Sequence, residues 1–345
     1  MKRNRLHIAI ATAVALGCTL TACTQDNDTA VTDGEHRTPI AFNVNIGGLP
    51  APEVSTRGYT TGKDHNSGYT FTGHEVVSIG ITGKGVTSRS ELEDVKQYKV
   101  TNTTTGGMTY NGTPQTDAFD WLSQSEHIDV RAWSYGNGDT PSDDPNGRAF
   151  TISSTQNTDT DIKELLYMPT TDIGFGNVGI NLYHQLARVV VSITATLPSD
   201  VSVTSVNIGN NNIPTSGTFA IPTSTNYGSW SSQTGFGTIN ARRIAETPGT
   251  THLYSAVVIP YNGNPEEGTP GYYAKETRFI TIVTTRGTYY YNIPSTINET
   301  DVKGLNLQAG HQYTFTITNL NQIDLNVTVT AWSNDNDNGE TVTFS

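Results

Sequence analysis

Cysteine, charge and long apolar runs are all scarce in this chain of 345 residues. It has two cysteines, and both belong to the first 23 residues, so no disulfide framework can hold the rest of the chain together. Charged residues make up only 15%, and the net charge of −12 comes without a basic stripe, which argues against a nucleic-acid binder. No segment offers 18 continuous apolar residues, so no permanent membrane helix is predicted. Stability must therefore come from core burial alone.

Threonine, glycine and tyrosine are abundant instead, with 33 Gly and 16 Tyr. Threonine is β-branched and suits the exposed face of a strand. Short alternating segments recur with turn signals between them, and the one weakly helical pattern is the charged segment 88–98. This pattern predicts an all-β protein with two tandem β-sandwich domains, at 38–185 and 186–345.

The N terminus reads as an export signal. Residues 1–22 combine three basic residues with a short apolar stretch, which is typical of a secretory leader. The leader ends in Leu20-Thr21-Ala22-Cys23, which looks like a bacterial lipobox, where the cysteine receives lipid. The alternative is an ordinary signal peptide with a chance cysteine. With the lipobox, Cys18 leaves with the leader, Cys23 anchors the protein to a membrane, and the polar residues 23–37 form a flexible tether.

The tether leads into one isolated strand. Residues 40–46 alternate between apolar and polar side chains, which is the period of a strand with one buried face. Its apolar positions are Ile40, Phe42, Val44 and Ile46. At roughly 1.5–3 kcal/mol each, burial of these side chains stabilises the docked strand by roughly 6–12 kcal/mol. A strand cut from the rest of the chain would therefore stay docked unless another strand replaced it.

A loop at 50–58 follows the strand and contains a lone arginine, Arg57, before Gly58. An exposed, extended segment with one cationic side chain is what a trypsin-like, arginine-specific protease cleaves. By itself the pattern favours an ordinary surface arginine.

Groups for catalysis or metal binding are not predicted. The eight histidines show no metal-ligand spacing, and His184, within an apolar strand, is predicted to be a satisfied core residue. Motifs such as Gly-x-Ser-x-Gly, His-Glu-x-x-His and the phosphate loop do not occur. The run 334–340 offers Asn and Asp side chains but fails the spacing of a calcium-binding EF-hand, so it is predicted to be a polar turn. We expect no enzyme activity, no cofactor and no metal.

Several short segments occur in a characteristic order along the chain. They are the lipobox at Cys23, the lone strand followed by Thr56-Arg57-Gly58, the segment Phe71–Ile81, the strand Asn181–Val189 with its His-x-Leu-Ala-basic pattern, the Ala-Gly-x-x-Tyr segment within Leu307–Phe315, and the late pair Ala331-Trp332. Together they resemble the fimbrillin (Mfa-like) family, the subunits of Bacteroidales-type surface fimbriae. One departure is His74-Glu75, where the family usually has Asp.

This resemblance implies two transthyretin-like Greek-key sandwiches and export as an outer-membrane lipoprotein. It implies lipid on Cys23, cleavage after Arg57 by an arginine-specific protease, and a removable plug strand at 40–46. Removing an edge strand leaves an apolar groove and unpaired backbone groups, which a strand of the next subunit can fill. Head-to-tail repetition then gives an open filament, a cell-surface fimbrium that supports adhesion to a receptor the sequence does not name.

Two C-terminal segments, 325–332 and 341–345, are candidates for the donor strand. Their alternating apolar residues are Leu325, Val327, Val329, Val342 and Phe344. Either segment is also interpretable as part of a hairpin in the C-terminal sheet.

Other functions fit parts of the same sequence. Within the family, the chain could be a tip adhesin or an anchor that keeps its lipid. Outside it, a monomeric glycan-binding lipoprotein would use the tyrosine clusters 272–273 and 289–291 to stack on sugars. A polymerising subunit should begin at Gly58 when mature, whereas an anchor or a glycan binder should keep Cys23.

Overall fold

The computed structural model describes residues 38–46, 73, 75–84, 94–136, 140–158, 161–222, 226–247, 251–260, 272–293, 296–297, 300–301, 304–320 and 325–331. Across these ranges nearly all regular structure is strand, which confirms the all-β prediction. Helical structure in these ranges is of the 3-10 kind, as at Gln115–Asp117. In the same ranges there is no helix with the length and apolar character that crossing a membrane requires.

The strands are numbered in chain order. Those up to residue 193 are β1 (Thr38–Pro39), β2 (Phe42–Ile46), β3 (Val76–Lys84), β4 (Asp94–Asn102), β5 (Gly107–Tyr110), β6 (Asp120–Trp121), β7 (His127–Ser134), β8 (Ala149–Thr151), β9 (Leu166–Gly174), β10 (Val178–His184) and β11 (Ala187–Ile193). The later strands are β12 (Val203–Ile213), β13 (Ser216–Ala220), β14 (Ser229–Thr234), β15 (Gly237–Asn240), β16 (Arg242–Thr247), β17 (Thr251–Val258), β18 (Tyr272–Ala274), β19 (Arg278–Thr284), β20 (Gly287–Asn292), β21 (Thr296–Ile297), β22 (Thr300–Asp301), β23 (Gly304–Asn306), β24 (His311–Ile317) and β25 (Leu325–Ala331).

Seven strands of the first half form a closed ring in the order β10-β2-β5-β4-β3-β7-β9. Most neighbours are antiparallel, but β2 lies parallel to β10. Strand β10 buries every second residue, as its alternating sequence predicts, whereas β3 begins with an unbroken buried run. The earliest strand of the ring, β2, therefore closes it beside the last, β10.

The second half is built from open sheets. The larger ones are β16-β17-β11-β24-β25 and β15-β12-β19-β20, and a smaller sheet is β14-β13-β8. Here too the first strand, β11, lies parallel to a late one, β24, and it is buried at most positions. The Val-rich run 189–191 suits such a central strand, covered on both faces. The predicted domain ranges, and the description of each half as a transthyretin-like sandwich, stay predictions.

One hydrophobic core runs through both halves and includes residues from Ile40 to Ile317. Strand β8 crosses from the first half to pair with β13. Close behind it, the buried Gln156 side chain donates to the carbonyl of Val257 at 2.8 Å and accepts from its N–H at 2.8 Å. Residues 149–156 are thus bound to the second half by backbone and side-chain hydrogen bonds.

The predicted helix at 88–98 is wrong where the structure describes it. Residues 94–98 form the start of β4, which pairs antiparallel with β3 over six registered positions. Tyr98 and Val100 are buried, and pairing on β3 gives their side chains a core that an isolated, weakly amphipathic helix would lack.

Candidate functional site: the first-strand groove

The predicted plug strand lies between β10 and β5, in a cleft that we call the first-strand groove. The inward side chains of the plug strand are almost fully buried, with Phe42 and Val44 1% exposed, Ile46 4% and Ile40 5%. The structure thus places the four predicted plug residues together on the core face. Asn43 between them is exposed, as the alternation predicts.

On one side the groove is bounded by β10. Five residues of each strand are in register, from Phe42 opposite Val178 to Ile46 opposite Leu182. The backbone N–H of Val178 also donates to the carbonyl of Ala41 at 2.9 Å. Because β10 is buried at Val178, Ile180 and Leu182, its apolar row lines the groove along its full length.

On the other side the contact with β5 is short. Asn43 opposite Gly107 is the registered pair found in the described residues, and the N–H of Val44 donates to the carbonyl of Gly106 at 2.9 Å. Gly106 has φ +70°, and a Cβ there would lie 2.1 Å from the carbonyl oxygen of Val44. Only glycine allows this approach at this backbone conformation. Gly106 and Gly107 lie in the turn of a hairpin, across which β4 and β5 pair antiparallel.

Two aromatic rings surround Phe42. The centroid of Tyr98 lies 4.8 Å from that of Phe42, and the centroid of Phe119 lies 6.3 Å away, both edge to face. Tyr98 and Phe119 stack on each other at 6.0 Å. The N–H of Phe119 donates to the Tyr98 hydroxyl at 2.8 Å, and burial raises the pKa of Tyr98 to about 12, so that hydroxyl is neutral at physiological pH. We call Tyr98 and Phe119 the aromatic subsite.

The start of the plug is held outside the ring. Strand β1 pairs with β6, placing Thr38 opposite Trp121. The N–H of Ile40 donates to the carbonyl of Phe119 at 2.8 Å. Trp121 is 2% exposed, and its indole N–H donates to the carbonyl of Gly176 at 3.0 Å. Withdrawal of residues 38–46 would therefore also remove the strand that pairs with β6.

The sequence did not identify Gly106, Tyr98 and Phe119 as parts of this site. Gly106 and Gly107 form a turn signal, and Tyr98 ends the weakly helical segment 88–98, but neither signal pointed to the plug. Phe119 lies between the 3-10 turn and the two-residue β6, where no periodic pattern marks a buried side chain. Only the tertiary structure brings these residues to Phe42.

Of the other predicted site residues, the structure describes the three in strand β25. Strand β25 pairs antiparallel with β24 over seven positions, which places Leu325, Val327 and Val329 opposite Ile317, Phe315 and Tyr313 in their own sheet. The remaining predicted residues, which are Cys23, Arg57, Gly58, Val342 and Phe344, lie outside the described residues.

The polar clusters of the described residues do not form a metal site. His184 is 1% exposed and its Nδ1 contacts the buried carboxylate of Glu164, so it lies in the core as predicted. A second cluster is exposed, where Lys84 contacts Asp129 and Asp172 and holds the pKa of Asp172 below its usual value. These ion pairs fit structural roles, so we take the first-strand groove as the candidate functional site.

One protein-family model matches most of the chain. The model of a family described as fimbrillin-like matches residues 56–332 of this chain. No curated protein matches the chain in sequence.

Solved structures resemble the chain over most of its length. A candidate cell adhesion protein from Bacteroides ovatus has a TM-score of 0.56 at 17% identity, with 86% of this chain and 98% of that one covered. A second, from Bacteroides uniformis, has a TM-score of 0.52 at 17% identity, with 86% and 99% covered. The truncated tip fimbrial protein Mfa3 of Porphyromonas gingivalis reaches 0.45 at 10% identity, with 85% and 99% covered. The first two likenesses show a shared fold, and the third is too weak to support an argument.

Proposed function

Because the chain belongs to the fimbrillin-like family, we propose that it is a stalk or tip subunit of cell-surface fimbriae that polymerises by exchange of its first strand. In this proposal the protein reaches the outer membrane as a lipoprotein anchored through Cys23. An arginine-specific protease then cuts after Arg57, strand 40–46 leaves, and a strand of the next subunit enters the groove. The fimbrium supports adhesion, and the subunit itself catalyses no reaction.

The observation that carries the proposal is the position of the plug. One short strand near the N terminus closes a ring whose other six strands all follow residue 75. Without it, β10 and β5 become free edges and an apolar row of β10 loses its cover. Exposed edges and apolar grooves favour addition of a strand from another chain.

Burial also explains why the uncut subunit would remain monomeric. Four inward side chains give roughly 6–12 kcal/mol of favourable burial, an upper estimate because the released strand is not fully solvated. Another strand must supply comparable burial before exchange becomes favourable. The plug therefore suppresses assembly until a donor is available and the covalent link to the plug has been cut.

Mass spectrometry of the mature N terminus on cells tests the cleavage step. The assembled protein should begin at Gly58. Arg57→Ala should abolish both the cleavage before Gly58 and the formation of polymers. Arg37→Ala is the matched control, because a cut at Arg37 would leave strand 40–46 attached and in place. A mature chain that starts at Cys23 within assembled fimbriae would contradict the proposal and favour the lipid-retaining anchor.

A further inference from the structure

We propose that the outer face of the sheet β15-β12-β19-β20 binds a neutral glycan, with the exposed ring of Tyr290 as the surface on which one sugar stacks. The proposal gives a ligand class to the adhesion proposed above and rests on that role, but it does not depend on strand exchange. The uncut monomer can therefore test it, because assembly plays no part in the measurement.

The tyrosine cluster 289–291 divides between the two faces of this sheet. Tyr291 is 2% exposed in the core and Tyr289 packs partly buried against the same core, whereas Tyr290 is 54% exposed on the outer face. In the other tyrosine cluster, Tyr273 is 1% exposed. Stacking on a sugar needs an open ring, so Tyr290 is the member of cluster 289–291 that can supply it.

Tyr290 ends a row of registered residues that crosses the four strands of the sheet. Each lies opposite the next, in the order Asn240, Asn207, Thr281 and Tyr290, and we call them the polar row. Opposite residues share a face of the sheet, and the neighbouring registered row, from Ile239 to Tyr291, is buried on the core face. Within the described residues the side chains of the polar row make no hydrogen bond to the protein, so their amide and hydroxyl groups are available to a ligand.

Arg278 holds the ring at the end of the row. Its guanidinium carbon lies 4.9 Å from the ring centroid of Tyr290, and its Nη2 donates to the side-chain oxygen of Asn210. Asn210 is exposed on a bulge of β12, where the register with β15 shifts between Ile208 and Ile213. The cation over the ring restricts the ring's movement, so less conformational entropy is lost when a ligand stacks on it.

The chemistry of the polar row fits a neutral sugar. Asparagine amides and threonine hydroxyls donate and accept hydrogen bonds, as sugar hydroxyl groups do, and an aromatic ring packs against the apolar C–H face of a sugar. The row itself is uncharged, and the net charge of −12 on the chain repels acidic sugars. A protein partner would need a larger apolar centre than one tyrosine ring supplies. Four strands spaced about 4.8 Å apart make the row about 14 Å long, which accommodates an oligosaccharide.

Saturation-transfer NMR on the uncut monomer tests the proposal, with lactose, maltotriose and mannotriose as neutral probes and sialyllactose as the acidic probe. We expect saturation transfer to at least one neutral probe. Tyr290→Ala should weaken its binding about tenfold, whereas Tyr290→Phe should keep it within about threefold because the ring remains. Phe175→Ala is the matched control and should leave binding unchanged, since it removes a ring that is 41% exposed just before β10, away from the polar row.

The centre of the row is tested separately by Thr281→Val, which removes one hydroxyl at nearly constant shape. It should weaken sugar binding about threefold to tenfold, through the lost hydrogen bond. Circular dichroism of each variant checks that the fold is unchanged.

Several outcomes would overturn the glycan site. They are saturation transfer to no neutral probe, transfer to sialyllactose alone, and equal affinities for Tyr290→Ala and the unaltered chain. Self-association of the uncut monomer that Tyr290→Ala abolishes, without sugar binding, would assign this face to a second copy instead. Polymer yield of the cut chain is measured in parallel and should not change with Tyr290→Ala. Absence of polymers from the unaltered cut chain would overturn strand exchange and leave the glycan site standing.

Discussion

At the scale of single residues, Gly106 is a position where the backbone beside β5 closely approaches the plug. Gly106→Ala adds a Cβ that would lie 2.1 Å from the Val44 carbonyl oxygen, on a backbone with φ +70°. The control is Gly147→Ala, since Gly147 has φ +67° and an added Cβ there would meet no atom within 4 Å. We expect about 1–2 kcal/mol lost at 147 from the left-handed backbone, and about 1–3 kcal/mol more at 106 from the clash, measured by urea unfolding. Equal losses at both positions would contradict the contact.

Phe42 is the second residue whose role is open to a direct measurement. Phe42→Ala should lower the free energy of unfolding of the uncut protein by about 3–5 kcal/mol, because it removes a buried ring that packs against Tyr98 and Phe119. Asn43→Ala on the exposed face of the same strand should change it by no more than about 0.5 kcal/mol. A small effect at Phe42 would mean that the plug contributes little to the uncut fold.

At the scale of elements, the plug strand should outlast the cut that frees it. Protein nicked after Arg57 in dilute solution is expected to retain the N-terminal fragment, since the groove contacts of β2 and the pairing of β1 with β6 remain. Gel filtration followed by mass spectrometry measures the retained fragment. Prompt loss of the fragment without any incoming strand would show that burial in the groove is weaker than its four apolar side chains suggest.

The element scale also shows what the sequence could predict. Alternation alone identified strand 40–46 and its buried face, because period 2 is a local property. It did not predict the parallel pairing of β2 with β10, which joins residues more than 130 positions apart. It misassigned residues 94–98 because their charges imitate a helix, while their pairing with β3 is a tertiary effect. Cys23 and Arg57 were identified by local motifs, and their roles stay predictions.

At the scale of the whole molecule, the shared core predicts that the two halves depend on each other for stability. Gln156 carries part of this dependence, because its side chain satisfies both backbone groups of Val257. Gln156→Ala leaves two buried backbone groups unpaired and should cost about 2–5 kcal/mol. Thermal unfolding by calorimetry should show the loss in one shared transition. If only the second half melts earlier, the core does not couple the halves as its continuity suggests.

The unequal borders of the first-strand groove have a kinetic consequence. The plug is in register with β10 over five residues, but with β5 it shares one registered pair in the described part of the chain. An invading strand can therefore begin to pair with the remaining residues of β5, Met108–Tyr110, while the plug still covers the core. In exchange by such invasion, the incoming strand would cover the apolar interior as the plug leaves. Its rate should rise with the concentration of invading strand instead of being limited by spontaneous departure of the plug.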